Sequence, residues 1–269
     1  MSITKSEVRR VVGEAAWVRL KLALGRRPPA GPTGLRSTGP LPAALNGLDL
    51  STWAWHFGTD KWGEHWYTPH YERHFAPLRR KRLTLLEIGV GGYDRSEGGE
   101  SLRMWEQWFP RARILGLDIE DKTELSRGRV TVYQGNQVDE GVLRRIIDEH
   151  GPLRVVIDDG SHNPAHVRQT FETLFPLLPD GALYAIEDTQ TSYWPTWGGS
   201  LDLADPSATI PWVKDLVDGL HYEEQLDPGR ISSWTDEMVR AVHCYHNLVI
   251  IEKGDNREGS SADRLAAGP

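Results

Sequence analysis

Three observations in the sequence predict an α/β fold built on an open, mostly parallel sheet. Short, near-continuous apolar runs alternate with helix-patterned stretches, the rhythm of strand–helix–strand crossovers. The first run leads into a glycine-rich turn, Glu87-Ile-Gly-Val-Gly-Gly92. Three later runs end on acidic residues, at Asp118, at Asp158-Asp159 and at Glu187-Asp188. Open parallel sheets bind their ligands beyond the carboxyl ends of the strands.

Taken in order, residues 1–27 carry seven basic and two acidic side chains. Val8, Val11, Val12, Ala15, Val18 and Leu22 recur there at helical spacing, so a basic amphipathic helix is expected. Arg26 to Asn46 is rich in Pro and Gly and reads as an extended arm. Residues 1–47 are therefore set apart as helix plus arm, 48–253 as the folded domain and 254–269 as a polar, disordered tail. Strands are expected at Leu83–Ile88, Arg113–Asp118, Val130–Gln134, Arg154–Asp158 and Ala182–Glu187. Their continuous apolar character suits a sheet covered on both faces. Helices are expected near Glu100–Phe109, Asp139–His150 and Pro164–Leu178. Val239–His243 and Leu248–Glu252 flank a short polar turn and read as an antiparallel hairpin closing the sheet.

Composition excludes several classes. Thirty-one Lys and Arg against 38 Asp and Glu give a net charge of −7, the wrong sign for a dedicated nucleic-acid binder. No apolar run is long enough to span a membrane. The single Cys244 excludes an internal disulfide framework and fits a reducing, cytoplasmic setting. The basic helix and the arm point to a homo-oligomer. Eleven Trp against five Phe is an unusual ratio. Trp105 and Trp108 fall on a predicted helix and read as core. Trp53, Trp55, Trp62, Trp66, Trp194 and Trp197 are candidates for either packing or an acceptor cleft.

Gly89, Gly91 and Gly92 let a ligand approach the backbone. Asp118, 31 residues after Glu87, can accept hydrogen bonds from both ribose hydroxyls. Asn136 and Gln137 follow the third strand, where side-chain amides could read an adenine edge. The third glycine of the dinucleotide pattern is replaced by Asp94, and Tyr93–Gly99 is loop-like, so no helix N-terminus is offered to a pyrophosphate. A nucleoside without phosphates, S-adenosylmethionine, is favoured over NAD.

Asp159, Glu187 and Asp188 would converge at one rim if their strands are neighbours. Such carboxylates repel unless neutralised, and an all-oxygen set suits Mg²⁺, Mn²⁺ or Ca²⁺. Adjacent strand residues point to opposite faces, so Glu187 and Asp188 can share a cation only if the chain turns between them. His162 precedes Asn163 and Pro164, a cap and first helical position. Beside the positive end of a helix neutral imidazole is favoured, and it suits a general base. His162 and His166 lie four apart, but the zinc-protease pattern is absent, and His166 reads as a helix-face residue.

These residues resemble those of the metal-dependent class I methyltransferases that O-methylate deoxysugars on macrolide and enediyne natural products. The matching segments are Phe57-Gly-Thr-Asp-Lys61, Leu86-Glu-Ile-Gly-Val-Gly-Gly92, Gly98-Gly-Glu-Ser-Leu102, Gly116-Leu-Asp-Ile119, Ile157-Asp-Asp-Gly-Ser-His162 and Ile186-Glu-Asp188 with Thr191-Ser-Tyr-Trp-Pro195. The resemblance implies a Rossmann-like fold with a seven-stranded sheet. It implies Mg²⁺ on Asp159, Glu187 and Asp188, and His162 as base. Glu87, Gly89, Gly91, Tyr93, Ser101 and Asp118 would hold S-adenosylmethionine; Asn136, Gln137 and Asp158 are grouped with them. The acceptor would be a small-molecule glycoside. A catechol-like acceptor, or an NAD-dependent sugar oxidoreductase, are the alternatives.

Overall fold

The computed structural model describes residues 13–32, 48–92, 97–227 and 229–262. The chain divides into two units, Met1–Lys81 with Gly99–Arg111, and Arg82–Gly98 with Ala112–Pro269.

The first unit is helical: α1 (Glu14–Ala23), α2 (Leu50–Phe57), α3 (Thr68–Phe75) and α4 (Glu100–Trp108). Val8, Val11 and Val12 of the expected amphipathic helix lie outside the described residues; within α1, Val18 is buried. The Asp49 side chain caps α2 by accepting from Thr52 N, and Gly58 ends it in a left-handed turn at φ 82°. Tryptophan packing explains much of the compositional surplus. Trp53, Trp105 and Trp108 are fully buried. Tyr71 meets Trp105 edge-on at 5.3 Å, and the Arg79 guanidinium lies 3.9 Å from the Trp108 ring. Trp62 packs edge-to-face on Trp66 at 4.8 Å and donates its indole N–H to Pro29 O.

The second unit carries one sheet: β1 (Thr84–Ile88), β2 (Arg113–Asp118), β3 (Val130–Gln134), β4 (Leu153–Asp158), β5 (Leu183–Ile186), β6 (Val239–Tyr245) and β7 (Leu248–Lys253). Their order is β3-β2-β1-β4-β5-β7-β6. The first five are parallel, and the β6–β7 hairpin joins β5 antiparallel, as the sequence predicts. Helices α5 (Glu140–His150), α6 (Pro164–Leu174), α7 (Thr209–Gly219) and α8 (Trp234–Met238) complete it. Leu86, Ile88, Leu115, Leu117, Val156, Tyr184 and Val249 share one sheet face. They pack with Leu143 and Ile146 of α5, Val167 and Phe171 of α6, and Trp212 and Val213 of α7 in a single core. Burying such side chains is the main favourable term, about 1.5–3 kcal/mol each.

Of the expected disordered tail, residues 254–262 are among the described residues and 263–269 lie outside them. The Asn256 amide donates to Leu220 O and Asp236 O, and Gly259 N donates to the Glu223 carboxylate. Among the described residues, no helix is long and apolar enough to cross a membrane.

Candidate active site

Register decides what meets at the carboxyl edge of the sheet. Ile88 of β1 pairs with Leu117 of β2 and with Asp158 of β4, and Asp158 pairs with Ile186 of β5. Gly89, Asp118, Asp159 and Glu187 therefore all emerge near the same level. The strand order reverses between β1 and β4, the switch point where open sheets leave a crevice.

A cavity of about 200 Å³ occupies that crevice, lined by Gly89, Asp118, Ile119, Asn136, Gln137 and His166 among others. Gly89 sits at φ 82°, and an added Cβ would lie 2.1 Å from the Asp159 carbonyl oxygen. Only glycine fits that close approach. Asp118 is buried, and its two carboxylate oxygens accept from Val90 N and Glu120 N, each at 2.9 Å. Two backbone donors thus fix the carboxylate at the cavity wall and leave further lone pairs for hydroxyl donors.

Gln137, which also lines the cavity, and Asp158 share a buried hydrogen-bond network. The Gln137 amide nitrogen donates to Asp158 Oδ1 and Thr170 Oγ1, both at 3.1 Å, and its oxygen accepts from Ser161 N at 2.7 Å. Asp158 Oδ2 accepts from the Tyr184 hydroxyl at 3.1 Å. Asp158 faces the core because it aligns with Ile88, one residue out of phase with Asp159. Burial pushes its carboxyl up to about 7, against the lowering effect of hydrogen bonds from Tyr184, Gln137 and Gly160. These two side chains tie the start of the Asp159–His162 loop to β3 and α6. Asn136 remains on the cavity wall, its Oδ1 accepting from Val138 N.

Gly91 has positive φ (73°), with nothing within 4 Å of an added Cβ. Tyr93 lies outside the described residues. Ser101 is buried in the first turn of α4, in the helical unit.

The acidic residues form two overlapping groups. Ligand atoms of Asp159, His162 and Asp188 lie within 4.8 Å of one another, as do those of Glu87, Asp159 and Glu187. Asp159 is common to both, while Glu187 and Asp188 fall in different groups. Glu87, expected with the cofactor turn, points its carboxylate into the second group. It aligns with Ile157, on the sheet face opposite Asp158, a pairing the linear sequence does not reveal. The chain does turn after Glu187: Asp188 takes the left-handed conformation, φ 52° and ψ 39°, and a 3₁₀ helix over Thr189–Tyr193 follows. That turn carries both carboxylates to the neighbourhood of Asp159.

His162 is also left-handed, at φ 54°. Its Nε2 lies 3.7 Å from Asp188 Oδ2. Asn163 caps α6 by accepting from Ala165 N, and Pro164 occupies the first turn, as predicted. Thr191 links the two left-handed residues, its hydroxyl lying 3.0 Å from His162 O and 2.8 Å from Asp188 O. The resemblance marks the segment Thr191–Pro195 but assigns Thr191 no part. His166 lines the cavity, with Nδ1 3.0 Å from Ser161 Oγ; its four-residue spacing from His162 was the available hint.

The donor set fits a hard divalent cation, because the clustered carboxylate oxygens need positive charge between them. The cavity fits a nucleoside, with an oriented acid at one wall and an amide side chain beside it.

No family model matches the chain. Demethylmacrocin O-methyltransferase of Streptomyces fradiae is 47% identical over 215 residues, 78% of this chain and 54% of that enzyme. The 8-demethyl-8-alpha-L-rhamnosyl tetracenomycin-C 2'-O-methyltransferase of Streptomyces olivaceus is 46% identical over 230 residues, 84% of this chain and 61% of that enzyme. The chain thus spans little more than half the length of these relatives. Among solved structures, MycE methyltransferase from the mycinamycin biosynthetic pathway, in complex with Mg and SAH, has a TM-score of 0.76 at 42% identity, covering 84% of this chain and 63% of that one. Its complex with Mg, SAH and mycinamycin VI gives 0.75 at 41% identity, covering 84% and 62%. The fold is that of the class I methyltransferases, and close homologues of the chain are sugar O-methyltransferases of macrolide and tetracenomycin biosynthesis.

Proposed function

We propose that this chain transfers a methyl group from S-adenosylmethionine to a hydroxyl of a sugar on a glycosylated natural product, with Mg²⁺ as the metal. The observation that carries this reading is the Asp159–His162–Asp188 group beside a nucleoside-sized cavity at the sheet's switch point. Homologues named for methylation of rhamnosyl and macrolide sugars support the acceptor class.

Asp118 holds the ribose, and Gly89 and Gly91 let the cofactor pass close to the backbone. S-adenosylmethionine supplies an activated methyl group. Asp159, Glu187 and Asp188 would hold Mg²⁺, which would supply positive charge where the acceptor oxygen becomes negative. His162 takes the proton from the acceptor hydroxyl. Asp188 Oδ2 lies 3.7 Å from its Nε2, which orients the ring. The protein's share is mainly positioning, which the two hydrogen-bonded loops provide.

The single Cys244 and the basic N-terminal segment support a cytoplasmic homo-oligomer; light scattering on the full chain tests the assembly. His162→Ala tests the base: turnover falls about 10²–10⁴-fold while cofactor affinity stays near wild type. Full activity in that variant refutes the assignment. EDTA abolishes turnover and Mg²⁺ restores it; indifference to chelation refutes the metal. Calorimetric titration shows S-adenosylhomocysteine binding and no NAD binding, the reverse of what an oxidoreductase gives.

A further inference from the structure

We propose that the segment from Trp194 to Leu203 is the docking surface for the apolar body of the acceptor, the part to which the methylated sugar is attached. This inference rests on the glycoside reading above and adds where the rest of the glycoside lies.

Trp194, Trp197, Leu201 and Leu203 are exposed by 47, 45, 81 and 64%. Four large apolar side chains within ten residues form a concentration that soluble surfaces ordinarily avoid. The backbone beneath the two tryptophans is nevertheless held by its own hydrogen bonds. Trp197 N donates to Trp194 O, Gly199 N to Trp194 O and Ser200 N to Ser192 O, at 2.9, 3.1 and 2.9 Å. An added Cβ at Gly199 would meet Thr191 O at 2.1 Å. Rigid aromatic area of this kind loses little entropy when something settles on it. Asp202 and Asp205 accept from backbone N–H groups of their own turns, of Ala204 and of Ser207, and give the patch a polar edge.

The occupant follows from position. The Trp197 ring centroid is 5.8 Å from that of His162, so the surface begins beside the proposed base. A sugar whose hydroxyl reaches His162 is covalently joined to its aglycone. That apolar body must therefore lie within one sugar's width of the reacting atom, and this patch offers apolar surface there. Trp197 adjoins the sugar, and Trp194, Leu201 and Leu203 extend the contact away from it.

The test compares acceptors with and without the apolar body. The probes are mycinamicin VI, 8-demethyl-8-α-L-rhamnosyl tetracenomycin C and methyl α-L-rhamnopyranoside, given to the full chain with S-adenosylmethionine and Mg²⁺. Wild type prefers at least one of the two natural glycosides over the simple rhamnoside in kcat/KM. Leu201→Ser with Leu203→Ser, and separately Trp194→Ala, reduce that preference about tenfold or more through KM, with S-adenosylhomocysteine affinity unchanged. Equal use of all probes by wild type, or a preference untouched by the substitutions, overturns the proposal while leaving the methyltransferase reading intact. So does a change in oligomer mass with an unchanged preference, which assigns the patch to a second copy. If wild type methylates none of the probes, the glycoside reading falls and takes this surface with it.

Discussion

Thr191→Val separates the geometry of the site from its chemistry. Valine keeps the branched shape and loses only the hydroxyl that lies between His162 O and Asp188 O, at 3.0 and 2.8 Å. Each left-handed non-glycine residue costs about 1–2 kcal/mol, so His162 and Asp188 together hold about 2–4 kcal/mol of backbone strain. The hydroxyl contributes about 1 kcal/mol net, shared between both carbonyls. Its loss lowers Tm by about 2–4 °C, the shift that 1 kcal/mol gives in a domain of this size. Turnover falls further, because a displacement of about 1 Å at a reacting group costs about 10²-fold. The assay is initial-rate methyl transfer, with Mn²⁺ affinity by paramagnetic resonance as a readout independent of turnover. Thr191→Ser restores both to within a few-fold of wild type. Equal Mn²⁺ affinity and equal turnover in the Val and Ser variants would refute the idea that this hydroxyl holds the two loops.

Gly89→Ala brings a Cβ to 2.1 Å from the Asp159 carbonyl at a φ that costs alanine about 1–2 kcal/mol; S-adenosylhomocysteine affinity drops at least tenfold by calorimetry, with the circular dichroism spectrum retained. Asp158→Leu removes the buried acceptor of the Tyr184 hydroxyl and of one N–H of the Gln137 amide, whose other bond to Thr170 stays, and lowers unfolding free energy in urea by at least about 2 kcal/mol. Trp105→Ala empties the centre of the helical unit, where Tyr71 and Phe75 pack on the indole, and costs about 3–5 kcal/mol by the same measurement.

Much of the fold was legible because local and long-range preferences agree. β2 and β3 have the bounds expected from apolar pattern, and α6 starts where Asn163 and Pro164 say it should. The carboxylates at the strand ends were legible for the same reason, since strand ends mark the ligand edge of a parallel sheet. What was not legible depends on facing and on contacts far along the chain. Glu87 joins Asp159 and Glu187 through a strand pairing about 70 residues away, counted from the register of β1 and β4. Asp158 and Asp159 look alike in sequence, yet the pleat sends one inward to Tyr184 and the other to the rim. The left-handed backbones of His162 and Asp188 are not set by local sequence: Asp and His enter that region more often than most residues, but most of them do not, and here the Thr191 contacts accompany it.

The contact between Gly89 and Asp159 gives the site a thermodynamic property. The turn at Gly89, which in the proposed function faces the nucleoside, and the loop that carries Asp159 meet backbone to backbone. If nucleoside and cation bind as proposed, a shift of one segment on binding displaces the other, and linkage of this kind is reciprocal. Whatever factor the nucleoside adds to the affinity for the cation, the cation adds to the affinity for the nucleoside. Two titrations run in opposite order should close the same cycle, with one coupling constant describing both.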